Sequence, residues 1–228
     1  MPSNRAQYKH PLPTVLAADS PVITLIIFLA AATILYLQAW RAALVLVPQR
    51  VRIEPETPAD VTKISPELEG AWEQLQALGF VLLGEHSEKV PLKREVRFID
   101  ATHPTEPVVA QLTQTADGDD ELTLLTRSER GFVVTSNFKR PAVEVAGRYL
   151  SGGLDGVRFD RVFKAHLRRL PEIGAAIRSE TLDAHVDAVR TWFATSGKPE
   201  LRQQHAVALL WTLFALGMVA AALVRLLS

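Results

Sequence analysis

The chain has 228 residues, a formal net charge of zero, 48% hydrophobic residues and no cysteine. The missing cysteine excludes a disulfide framework, thiolate catalysis, a cysteine-held iron-sulfur cluster and a lipoprotein anchor. Neutrality removes the strongly basic balance of a general nucleic-acid binder, and the apolar residues gather in two blocks near the ends.

Residues 1–20 read as a short polar tail. The block 21–47 reads as transmembrane helix 1, with Ser20 placed as N-cap, Pro21 at the first helical position and Pro48 as the stop. A helix of that length reaches roughly 40 Å against a hydrocarbon layer of ~30 Å, so it must tilt or protrude, with Arg41 snorkelling beside Trp40. The apolar run exceeds the core of about 7 to 15 residues in a cleaved signal peptide, which points to an uncleaved anchor.

Residues 49–204 form the expected soluble domain. Val51 to Ile64 reads as an extended connector. Ser65 and Pro66 open a helix with Leu68, Trp72, Leu75 and Leu78 on its core face and Gly79 as its stop. Period-two alternation then marks strands at Phe80–Gly84, Arg94–Ala101, Pro107–Thr115, Glu121–Arg127 and Gly131–Asn137. In the third, Val108, Ala110 and Leu112 face one way and Gln111, Thr113 and Thr115 the other, as in a half-buried antiparallel strand. The turn runs ADGDDE and RSERG are too short for crossovers, so the strands join as a meander of hairpins.

Helices follow. FDRVFKAHLRRL sets Val162, Phe163, Leu167 and Leu170 on a core face and Arg161, Lys164 and Arg168 on another. Glu172 to Thr195 reads as helical with a phase shift near Ser179. From Glu200 the chain runs helically into transmembrane helix 2, residues 206–227. The fold class expected is α+β: an antiparallel β-meander packed with helices, carried between two transmembrane helices. Gly217 with Ala221, and Ala39 with Ala43, are small-residue pairs at which the spans can approach each other or a partner.

Orientation rests on basic flanks. Arg50, Arg52 and Lys63 follow the first span and Arg190, Lys198 and Arg202 precede the second, against Arg5, Lys9 and Arg225 on the tails. This asymmetry favours a cytoplasmic domain in an inner membrane; the alternative is a periplasmic domain with both tails inside.

Chemical motifs are sparse. SGGLDG (151–156) resembles the SGGxDS loop of the ATP pyrophosphatase family, but Gly156 replaces its last serine and no strand-helix alternation surrounds it, so it reads as a turn into the basic helix. Among His10, His86, His103, His166, His185 and His205 no pair has the spacing of a zinc-binding helix, and His185 points away from Asp183 and Asp187. His103 and Glu106 are within reach of one metal but lack a third ligand. Ser128, Ser136 and Ser151 lack a nucleophile elbow, and Asp117, Asp119, Asp120 and Glu121 lack the EF-hand ligand order.

No cofactor, no metal and no nucleic-acid partner are therefore expected. The expected function is that of a membrane-anchored interaction or scaffold protein whose domain binds a protein partner or an anionic lipid surface. Arg161, Lys164 and Arg168 are the candidate interaction face. The other reading is a membrane-bound hydrolase or transferase whose catalytic residues converge only in space, so enzymatic activity stays open.

Overall fold

The computed structural model describes residues 21–56 and 64–227. The tail 1–20, with Ser20, Arg5, Lys9 and His10, lies outside the described residues, as does Lys63.

Helix α1 (Pro21–Leu46) and helix α5 (Lys198–Leu227) are each long and apolar enough to cross a membrane. Only 6% and 17% of their most apolar windows are buried, which is unlike the core helix of a soluble protein. They pack on each other. Alanines form the close seam: Ala31 and Ala42 on α1, and Ala208, Ala215 and Ala222 on α5, are all nearly inaccessible. The α5 residues recur every seven positions, the repeat that keeps small side chains facing a neighbouring helix. Gly217 and Ala221 lie instead on the exposed side of α5, and Ala39 and Ala43 flank the seam on α1.

Between these helices lies a nine-stranded mixed sheet that does not close into a barrel. Its strands are β1 (Arg52–Pro55), β2 (Val81–Lys89), β3 (Val96–Thr102), β4 (Val109–Gln114), β5 (Asp120–Ser128), β6 (Phe132–Ser136), β7 (Val143–Val145), β8 (Tyr149–Gly153) and β9 (Ala176–Ile177). β1 to β6 are sequential antiparallel neighbours, and β2 to β6 are the meander read from the alternation.

The sheet departs from a pure meander at β8, which pairs parallel to β6. After β6 the chain moves outward, runs back as β7 and turns at Gly147 (φ +65°), so β8 inserts between β6 and β7. Two glycines make this insertion sterically possible. A Cβ on Gly131 would lie 1.5 Å from the Arg148 carbonyl oxygen, and one on Gly153 would lie 2.0 Å from that of Phe138. The connector after α1 is also partly strand, because β1 pairs with the second half of β2. The first part of the helix expected from Glu172 is a 3-10 turn (Leu170–Ile173) followed by β9, which pairs with the last two residues of β5 beyond the end of β4.

Helices cover both faces. On the first face, α2 (Glu69–Ala77) and α3 (Phe159–Arg169) bury Leu68, Ala71, Leu75, Phe159 and Val162 against Ile99, Ala110, Leu112, Leu122 and Leu124. A fully buried Leu or Val of this kind contributes about 1.5–3 kcal/mol relative to exposure. On the second face, α4 (Leu182–Ala194) buries Val186, Val189, Trp192 and Phe193 against Leu125, Phe132, Val134 and Tyr149. Leu44 of α1 and Leu201 of α5 join the same cluster. β4 and β6 are therefore buried on both sides, and the half-buried strand expected at 107–115 is corrected: Gln111 and Thr113 point away from the apolar face but lie under α4 and the long helices.

Candidate functional site

The second face carries polar groups at a density the first does not. Its strand positions include His86, Asp100, Gln111 and Thr113, and no apolar side chain substitutes for them. Register explains the grouping. His86 is opposite Phe98 across β2 and β3, and Asp100 is opposite Gln111 across β3 and β4. Since Phe98 and Asp100 are two residues apart, all four project to one side. α4 adds His185 from above. Gly84 is opposite Asp100, and Leu182 in the first turn of α4 sits so close to it that a Cβ there would be 2.8 Å from Leu182 Cδ2. His185 follows one helical turn later, over Asp100.

The result is a fully buried cluster. His86 Nδ1 is 2.5 Å from Asp100 Oδ2, and His185 Nε2 is 3.2 Å from Asp100 Oδ1 and 3.2 Å from Gln111 Nε2. His86 stacks on Phe98, and its Nε2 is 3.4 Å from Glu88 Oε1. Burial alone pushes the His86 pKa down, but hydrogen bonds and charge from Asp100 and Glu88 outweigh it and raise it to about 10. Burial would raise Asp100, yet His185 and His86 hold its carboxyl below the ordinary range.

Beside this cluster a cleft of about 200 Å³ opens between the sheet, α4 and the ends of both long helices. Trp40 and Leu44 from α1, Leu201 and Gln204 from α5, and Trp192 and Phe193 from α4 form one wall. Glu88, Phe98, Gln111, Glu121, Lys93 and Arg140 lie on the other side. Lys93 Nζ sits 4.7 Å above the Trp40 ring, an aromatic-cation contact at the level where α1 leaves its apolar run. Burial raises the pKa of Glu121 in this wall, against the charges of Lys93 and Arg140.

The floor of the cleft ties the domain to α5. Glu200, in the first turn of α5 and 1% exposed, accepts a 2.8 Å bond from Arg140 Nη1 and another from the Tyr149 hydroxyl. Trp192 Nε1 donates to the same hydroxyl at 3.0 Å. Burial and the Glu200 charge raise the Tyr149 pKa, so the phenol stays a donor. Arg140 Nε, also buried, has no partner.

The residues singled out from the sequence fall elsewhere. Arg161, Lys164 and Arg168 are exposed on α3, over the first face, with Lys164 3.6 Å from Asp160. His103 spends both ring nitrogens locally: Nε2 on the Leu78 carbonyl at 3.1 Å and Nδ1 on the Glu106 amide at 3.0 Å. Ser128 caps the Arg130 and Gly131 amides, Ser136 donates to Phe138 and Ser151 to Pro141, so each hydroxyl is committed to a turn. Around SGGLDG the Leu154 and Gly156 amides donate to Ser136 and Asn137, which leaves that loop no ring of free N–H groups for a phosphate. His166 bridges Thr126 and Thr135 at 2.9 and 3.0 Å; burial and Arg169 push its pKa down to about 3, the mark of a neutral structural imidazole.

The His86, Asp100 and His185 grouping was not anticipated, because its members lie on three elements separated by up to a hundred positions. One signal was present. Position 185 begins the i, i+4, i+7, i+8 stripe completed by Val189, Trp192 and Phe193, and a histidine on an apolar stripe must find a buried polar partner. Comparison with family models, curated proteins and solved structures yields no match, so the site's chemistry rests on its own residues.

Proposed function

We propose that this is a two-span membrane-anchored binding module whose domain holds the headgroup of an anionic phospholipid in the cleft between the sheet and the paired helices. The observation that carries this reading is Arg140, which lines the cleft: Nη1 is held by Glu200, while Nε is buried and has no partner. A buried guanidinium N–H favours an anionic oxygen, and Arg is the side chain suited to a second, simultaneous bond of this kind. Lys93 supplies further positive charge. The volume suits a headgroup rather than a whole lipid, whose chains would remain in the bilayer beside α1 and α5, and Trp40 has the amphipathic character of a membrane-interface residue.

The protein acts by binding rather than by turnover. His86 contacts Asp100 and Glu88, and no hydroxyl nucleophile is hydrogen-bonded to it among the described residues. A protein partner for the exposed α3 face remains compatible with this reading, and the basic flanks favour a cytoplasmic domain. The test is lipid retention. Detergent-purified wild type should carry about one phospholipid per chain, and Thr123→Trp, which fills the cleft from β5, should lose it while staying folded. Equal retention by both would refute the cleft. For orientation, the chain lacks cysteine, so Glu129→Cys at an exposed turn gives a single label site. Labelling by an impermeant maleimide only after lysis supports the cytoplasmic placement, and labelling of intact cells refutes it.

A further inference from the structure

We propose that His86, Asp100 and His185 bind one divalent transition-metal ion, of the zinc type, through His86 Nδ1, Asp100 Oδ1 and His185 Nε2. The three ligand atoms lie within 4.8 Å of one another and all three side chains are completely buried.

Two orphaned atoms, Asp100 Oδ1 and His185 Nδ1, distinguish this arrangement from an ordinary buried ion pair. Asp100 Oδ1 is inaccessible and accepts no hydrogen bond, although His185 Nε2 is only 3.2 Å away. That nitrogen also lies 3.2 Å from Gln111 Nε2, and in the tautomer that carries its proton on Nδ1 it offers a lone pair. Two lone-pair atoms at this separation have the spacing of a coordination edge: bonds of about 2.0–2.1 Å in a tetrahedron set neighbouring ligands about 3.3 Å apart. The His86 ring closes the set. The proton shared between Nδ1 and Asp100 Oδ2 is the one the cation displaces, so binding releases a proton and the 2.5 Å contact opens by less than about 1 Å.

The surroundings fit. With Nδ1 on the metal, His86 Nε2–H points to Glu88 Oε1 at 3.4 Å, the carboxylate partner that fixes ring orientation in such sites. The two carboxylates, Asp100 and Glu88, balance the charge of a divalent ion. Two imidazoles and one carboxylate select zinc-like metals over calcium or magnesium, which take oxygen ligands. Glu88, Phe98 and Gln111 also line the cleft, so an ion enters from there and a water completes the fourth position. This inference does not depend on what the cleft itself holds.

The test uses the full chain in detergent, stripped with a chelator and dialysed against buffered zinc. Wild type and His103→Ala should each bind one equivalent by elemental analysis, and Asp100→Asn, which keeps the shape and removes the charge, should bind less than about a tenth of that. Cobalt(II) on the wild type should give the visible absorption of a four-coordinate site, removed by zinc, and zinc should raise the melting temperature. These wild-type readouts decide the matter if Asp100→Asn does not fold. No zinc and no cobalt band in the wild type would overturn the site. So would full zinc binding by a folded Asp100→Asn.

Discussion

The two faces of the sheet are built from the same strands and differ in what they bury. Under α2 and α3 the strands present Ile99, Ala110, Leu112, Leu122 and Leu124, and His166 there is satisfied on both ring nitrogens by its two threonines. Under α4 and the long helices the same strands present Asp100, Gln111, Thr113 and Glu121, with His86 beside them, and several polar atoms are left unpartnered. An unmatched buried polar atom costs about 1–3 kcal/mol, so a face that accumulates them is kept for something other than stability. The first face is scaffold; the second, which also receives α1 and α5, is where we propose that binding occurs.

The comparison breaks most visibly at Glu200. Glu200→Ala strands the Arg140 guanidinium and the Tyr149 hydroxyl in the floor of the cleft, and removing one partner of a buried pair costs about 3–5 kcal/mol. Denaturant unfolding in detergent should show this loss, and adding Arg140→Leu to Glu200→Ala should recover part of it. On the scaffold face, Leu112→Ala should cost about 2–5 kcal/mol through the cavity it leaves, with lipid and zinc binding unchanged in the protein that remains folded.

Acid probes the scaffold face again through His166. Its folded pKa of about 3 lies below the 6.5 of the unfolded chain, so it is neutral in the fold and the unfolded state takes up the proton first. Its contribution is intact well above pH 6.5 and is lost progressively down to about pH 3, amounting to about 2 kcal/mol between pH 6.5 and 4.5 at about 1.36 kcal/mol per unit. Replacing His166 by Gln should flatten that part of the stability-pH curve. The smallest effect belongs to α3: changing Arg161, Lys164 and Arg168 to Glu should shift stability by less than about 1 kcal/mol, since only one weak exposed ion pair is touched.

Much of the scaffold was legible because it obeys local periods. The helix at 69–77, the core positions of α3, the five central strands and both long helices follow from spacing in the sequence. What escaped depends on pairing at a distance. β1 lies in a Pro- and Glu-rich stretch and is a strand only because β2 is longer than its alternating part. β7 and β8 are short, and the glycines that let them insert read as a loop. The cleft and the His86, Asp100 and His185 grouping form only when register sets Asp100 opposite Gln111 and α4 lands on Gly84, information that no single window contains. The basic residues of α3 drew attention because charge is visible in sequence, whereas burial is not.

The most direct measurement is photo-crosslinking. An anionic phospholipid carrying a photoreactive group near its headgroup, reconstituted with the full chain, should label peptides from the cleft wall: β5 around Thr123, the Lys93 turn and the start of α5 near Gln204. Labelling should persist when Arg161, Lys164 and Arg168 are changed to Glu and vanish in Thr123→Trp. Labelling concentrated on α3, lost in the triple variant and unaffected by Thr123→Trp, would contradict the account.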